Sequence, residues 1–139
     1  MNAHAFCSRD TTLRLQVLAS SIGWILVASG IITGGAGLAA FLVPRLFVRL
    51  VCGVESPTDS LLFFVRHWGV LIFAVGALIV YSACAPTVRA PVLVAAAIEK
   101  VAIGFLTFFG PMKRTTAMTA IAVADGAFAI LYVAYLAGL

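Results

Sequence analysis

The sequence predicts an all-α fold, a four-helix transmembrane bundle, and three observations carry that prediction. Hydrophobic residues make up 63% of the 139 positions and charged residues only 10%, against about 45–50% and about 25% in soluble domains. Mean hydropathy is +1.16, so lipid rather than water must solvate most of the side chains. Four separate apolar runs, residues 17–43, 61–84, 91–109 and 117–139, each have about the 20 residues a helix needs to cross a bilayer. The four runs are not copies of one another, which gives no support to an inverted-repeat transporter within one chain. Residues 1–139 read as a single integral membrane domain.

Punctuation sets the expected boundaries. Thr11 and Thr12 precede the first apolar run as candidate caps, and Pro44 follows it. The first span is long and glycine-rich at its end (GGAGLAA), so it either tilts or stops early. It exceeds the ~7–15 residues of a signal-peptide core and three more spans follow, which favours an uncleaved helix. Pro57, Asp59 and Ser60 form a turn and cap before the second span. Ala85-Pro86 ends the second span, and Pro91 suits the first turn of the third. Gly110-Pro111 stops the third span, and Thr115 or Thr116 caps the fourth.

The connection from Pro44 to Ser60 is the longest. In PRLFVRLVCGV, Leu46, Phe47, Leu50, Val51 and Val54 fall on one helical face, with Arg45 and Arg49 opposite. This reads as a short interfacial helix between spans 1 and 2, with a plain loop as the alternative. An even number of spans puts both termini on one side. That side carries Arg9, Arg14 and Arg89, the other Arg45, Arg49, Lys113 and Arg114, a balance that leaves the positive-inside rule undecided.

The net charge is +4. Basic residues flank apolar runs, without an aromatic-interleaved basic patch, so the expected partner is the lipid bilayer and not nucleic acid. Cys7, Cys52 and Cys84 match no zinc spacing, and their odd number argues against a disulfide framework, although Cys7 and Cys84 share a membrane face and one bridge is open to them. No metal and no cofactor are expected.

Small residues mark the faces along which membrane helices approach closely. Gly23, Gly30, Gly34 and Gly37 form such a stripe in the first span, Gly69, Gly76 and Ala83 in the second, and Ala122, Gly126 and Ala129 in the fourth. These stripes exceed the needs of one four-helix core, which leaves a membrane-protein partner or a homo-oligomer open.

Ionisable groups are costly in such a medium unless they have partners or a purpose. Arg66 precedes Gly69 by three residues. Asp125 lies between Ala122 and Ala129, and Tyr132 follows it by seven. Lys100 has Ala96 and Gly104 four residues to either side, and Glu99 has Ala95 and Ala102 as face neighbours. At ~1.5 Å per residue, Arg66 lies about 8 Å, Asp125 about 12 Å and the Glu99–Lys100 pair about 14–15 Å below the face carrying the 44–60 connection. We therefore expect one buried cluster whose charges sum to zero, pairing Glu99 with Arg66 and Lys100 with Asp125, the swapped pairing remaining open. His67 reads either as a headgroup-level anchor with Trp68 or as a proton carrier beside the cluster.

Three roles fit such a cluster. It can be a polar clasp in an accessory, assembly or structural membrane subunit. It can be an intramembrane site for a lipid, a quinone, a hydrophobic cation or a proton-coupled ligand, formed by Arg66, His67, Glu99, Lys100, Asp125 and Tyr132. Catalysis is the least supported: Ser20, Ser21 and Ser29 have no nearby histidine, and no nucleophile or metal constellation can be built.

The segments LAAFLVPRLFVRLVCGV, FFVRHWGVLIFAVGALIV and APTVRAP resemble the small four-span bacterial DoxX-like membrane proteins over residues 30–110. The resemblance implies a four-helix fold in a bacterial inner membrane and implies no chemistry. Small multidrug transporters also have four short helices, but their essential acid lies in the first span, where this chain has none.

Overall fold

The computed structural model describes residues 3–111 and 114–138, with side chains from Ser21 onward. Five helices and no strand are formed among the described residues: α1 (Ala3–Leu42), α2 (Pro44–Phe47), α3 (Asp59–Cys84), α4 (Pro86–Phe109) and α5 (Thr116–Leu136). Four of them, counting Ser21–Leu42 of α1, are long and apolar enough to cross a membrane. Their outward faces carry large apolar side chains, among them Trp24, Phe63, Ile98, Phe109 and Ile130, each more than three-fifths exposed. Such a surface is stable only against acyl chains, and the chain is an integral, multi-pass membrane protein.

The boundaries shift where local chemistry outweighs the simplest reading. α1 runs through Thr11 and Thr12 instead of starting there, and continues unbroken across the glycine-rich segment to Leu42. Thr58, not Asp59 or Ser60, caps α3 by accepting from the Leu61 amide at 3.3 Å. The third span begins at Pro86, with Pro91 inside it. The expected Ala85–Ala90 turn is thereby reduced to Ala85. That tight turn is held by Arg89, which donates to the Ser82 and Ala83 carbonyls at 3.0 Å each and to the Tyr135 hydroxyl at 3.1 Å. It satisfies carbonyls that the end of α3 leaves without helical partners. Thr115 caps α5 by accepting from the Met118 amide at 3.0 Å. The bridge considered between Cys7 and Cys84 falls outside the described residues.

The interfacial segment forms, but is only partly α-helical. α2 gives way to a π-turn over Val48–Cys52 and ends at Gly53, whose φ of +69° is the left-handed conformation glycine adopts without cost. Its inward face is Phe47, Val48 and Val51, whereas Leu46 and Leu50 are more than half exposed, so the expected apolar face is rotated.

Two close helix pairs build the bundle, α1 with α3 and α4 with α5. The first pair meets backbone to backbone. A Cβ on Gly37 would lie 2.4 Å from the Phe73 nitrogen, and one on Gly76 would lie 2.4 Å from the Gly34 nitrogen, so only glycine permits this approach. Gly23, Gly104 and Gly126 have no atom within 4 Å of where a Cβ would stand, so the small-residue stripes are used unequally. Leu26, Ile79, Leu93, Ala96 and Tyr132 fill the space between the pairs.

Candidate functional site

The two helix pairs are joined by polar side chains arranged by depth. Thr33, Lys100 and Asp125 each lie nine residues from the end of their helix on the face carrying α2, which puts all three ~13–14 Å below it. There the Lys100 ammonium, 1% exposed, donates to the Thr33 hydroxyl at 3.0 Å and to the Asp125 carboxylate. It also stands 5.8 Å from the centre of the Phe128 ring, so opposite charge, a hydroxyl and an aromatic face together compensate its desolvation. One layer deeper, the fully buried Tyr132 donates to Ser29 at 2.5 Å, and Ser29 donates on to the Leu26 carbonyl at 3.2 Å. The ion pair expected between Lys100 and Asp125 is thus formed, and Tyr132 belongs to the same polar core.

Arg66 is not part of it. Its side chain is exposed and lies beside Arg45 in a groove between α2 and α3, which overturns the expected pairing with Glu99. The reason lies in the glycine contact. The Gly69 stripe, next to which Arg66 sits, is covered by Gly37, Ala40 and Phe41 of α1, so α4 cannot reach it. His67 is exposed and does not line the polar core, which removes its reading as a proton carrier beside the cluster. Trp68 packs on Phe47 with ring centroids 6.1 Å apart.

Without Arg66 the core no longer sums to zero. Two carboxyl groups, Glu99 and Asp125, stand against the single ammonium of Lys100. Glu99 and Asp125 both face a cavity of ≈ 470 Å³, within the ~300–1,000 Å³ usual for small-molecule sites. Apart from Thr33 and Thr107 its walls are otherwise apolar, with Ile32, Ile72, Ile103 and Ile121 contributed by four different helices. It extends from the Lys100–Asp125 layer towards the membrane face, where Phe47, Val51 and Cys52 form a roof. Thr115 holds that roof by donating to the Val51 carbonyl at 2.5 Å. Burial pushes the Cys52 thiol above its ordinary pKa.

Two polar atoms of this cavity lack partners among the described residues, Oε2 of Glu99 and the hydroxyl of Thr107, a residue 2% exposed. Buried polar groups are almost always hydrogen-bonded, so such orphans call for a partner from elsewhere. A carboxyl and a hydroxyl two turns apart on α4, lining one largely apolar chamber, can receive a hydrogen-bond donor or cation attached to an apolar body. Ser29, Thr33 and Thr107 were missed as site residues. Ser29, Thr33, Ala36 and Ala40 recur at helical spacing beside the glycine stripe, a signal that marks an inward face without telling which polar group it meets.

Comparison with protein-family models, curated proteins and solved structures gives no match.

Proposed function

We propose that this membrane protein binds a small, largely apolar molecule with a cationic or hydrogen-bond-donating head, within the membrane and in exchange for a proton on Glu99. The observation that carries the reading is the Glu99 carboxyl, whose Oε2 has no hydrogen-bond partner among the described residues although it lines a largely apolar cavity. A carboxyl so placed either holds a proton or faces a cation, because an isolated carboxylate at this depth is strongly disfavoured. Thr107 supplies a second anchoring point, and the apolar walls accept the body of the ligand.

The clasp reading holds for the other half of the cluster. Lys100, Asp125, Thr33, Tyr132 and Ser29 are mutually satisfied and join α1 to the α4–α5 pair, so their role is to fix the register of the helices. A subunit needing only that clasp has no use for Glu99, which is why binding is favoured over a purely accessory or assembly role. Residence in a bacterial inner membrane, and kinship with the DoxX-like proteins through the VPR ending the first span and the RHWG opening the second, belong to the same proposal.

The test uses the full chain in lipid nanodiscs and tetraphenylphosphonium, a lipophilic cation, as the probe. The titratable groups facing the cavity are Glu99 from α4, Asp125 from α5 and Cys52 from the roof, with none from α1 or α3 among the described residues. Binding should weaken as pH falls, since a protonated Glu99 no longer attracts the cation, and should release a proton to the medium. Glu99→Gln should remove both the pH dependence and at least about tenfold in affinity, the equivalent of one charge-assisted contact. Unchanged, pH-dependent binding by Glu99→Gln would refute the assignment.

A further inference from the structure

We infer that the groove between α2 and the beginning of α3 seats the phosphate of an anionic phospholipid, held between Arg45 and Arg66. The inference is independent of the cavity and of its ligand. The groove has a volume of ≈ 270 Å³, and Val43, Pro44, Arg45, Leu46, Leu62 and Arg66 line it. Two arginines from different elements, Arg45 of α2 and Arg66 of α3, therefore border one space whose remaining walls are apolar.

Depth makes an anion necessary. Arg66 lies seven residues into α3, ~10 Å below the start of that helix. It is exposed beside Phe63 and Phe64, which are about two-thirds exposed and turned towards lipid. A guanidinium does not lose its proton, and the only ion pair among the described residues is Lys100–Asp125. An arginine on a lipid-facing helix below the headgroups snorkels towards the interface, where the abundant anion is lipid phosphate. Arginine is well suited to it, since its planar fork donates two parallel hydrogen bonds to phosphate oxygens.

The flanking residues match the rest of such a lipid. Val43 and Leu46, each about half exposed, offer an apolar path for an acyl chain leaving the phosphate. The occupant is thus a phospholipid rather than a soluble anion, which would gain nothing from these walls.

Native mass spectrometry of the full chain, released from nanodiscs of phosphatidylglycerol and phosphatidylcholine in equal parts, tests this. The wild type should retain phosphatidylglycerol preferentially. Arg45→Gln and Arg66→Gln should each lower that preference by about tenfold, as expected for loss of a charge-assisted hydrogen bond, and Arg66→Lys by less. Arg49→Gln removes the same charge one turn from Arg45 but outside the groove, and should change the preference less than about twofold. Equal losses in Arg49→Gln and Arg66→Gln would show diffuse surface charge instead of a site. Displacement of the lipid by millimolar inorganic phosphate would show a free-anion site. Either result, or no preference in the wild type, overturns the proposal. Both arginines are exposed, so unchanged helicity and melting in detergent accompany the expected result.

Discussion

Lys100 on α4 donates a 3.0 Å hydrogen bond to Thr33 on α1, 67 positions earlier in the chain. It crosses from one helix pair to the other at the depth where Asp125 of α5 supplies the counter-charge. The contact therefore couples three spans through one ammonium group. The half of the bundle above it, towards α2, is left open as the cavity.

Removing the counter-charge should be more damaging than removing the ion pair. Asp125→Asn leaves a 1% exposed ammonium without its carboxylate, at an expected cost of about 3–5 kcal/mol. The double variant Lys100→Met with Asp125→Leu should lose less than Asp125→Asn alone, because no buried charge is stranded. Thermal unfolding in detergent distinguishes the two orders.

Glycines with identical chemistry should respond in opposite directions. Gly37→Ala and Gly76→Ala place a methyl 2.4 Å from backbone nitrogen, so α1 and α3 must separate and stability must fall. Gly104→Ala and Gly126→Ala meet open space and should be neutral or stabilising by up to ~1 kcal/mol through helix propensity. Melting temperatures of the four variants provide the comparison. A loss of stability in Gly126→Ala would place a second protein surface against α5.

Thr115 carries two duties, as N-cap of α5 and as donor to the roof through the Val51 carbonyl. Thr115→Val should cost about 1 kcal/mol for the lost cap and should also loosen the roof, raising hydrogen exchange over residues 48–54. Thr115→Ser retains both bonds and should behave as wild type. Exchange in the roof that is the same for Val and Ser at position 115 would exclude the tether.

Cysteine alkylation reports on the roof in a Cys7→Ser background. Thiolate is the reactive form, and burial raises the pKa of Cys52, so less thiolate is present at neutral pH. Cys52 should therefore react with maleimide more slowly than the exposed Cys84, and its rate should climb further as pH rises above neutrality. Occupation of the cavity should slow Cys52 and leave Cys84 unchanged.

Much of this architecture is local and was legible from residue order alone. Span number, the all-α class, the stop at Gly110 and a threonine cap at Thr115 or Thr116 follow from apolar run length and from capping chemistry that acts within a few residues. Lys100 and Asp125 were legible as one of two pairings, because helical rise puts them at similar depths and their charges oppose, while the swapped pairing stayed open. The fate of Arg66 and Glu99 was not. Both lie near small-residue faces, and periodicity shows that a face is packed without showing which helix packs on it. The close approach at Gly37 and Gly76 settles that question by giving the Gly69 stripe to α1. That choice sends Arg66 outward, leaves Glu99 without the arginine expected for it, and converts a neutral clasp into a clasp beside a cavity lined by a spare carboxyl. Run length and charge are properties of the chain. Pairing is a property of surfaces meeting at van der Waals distance, and only the folded molecule sets those distances.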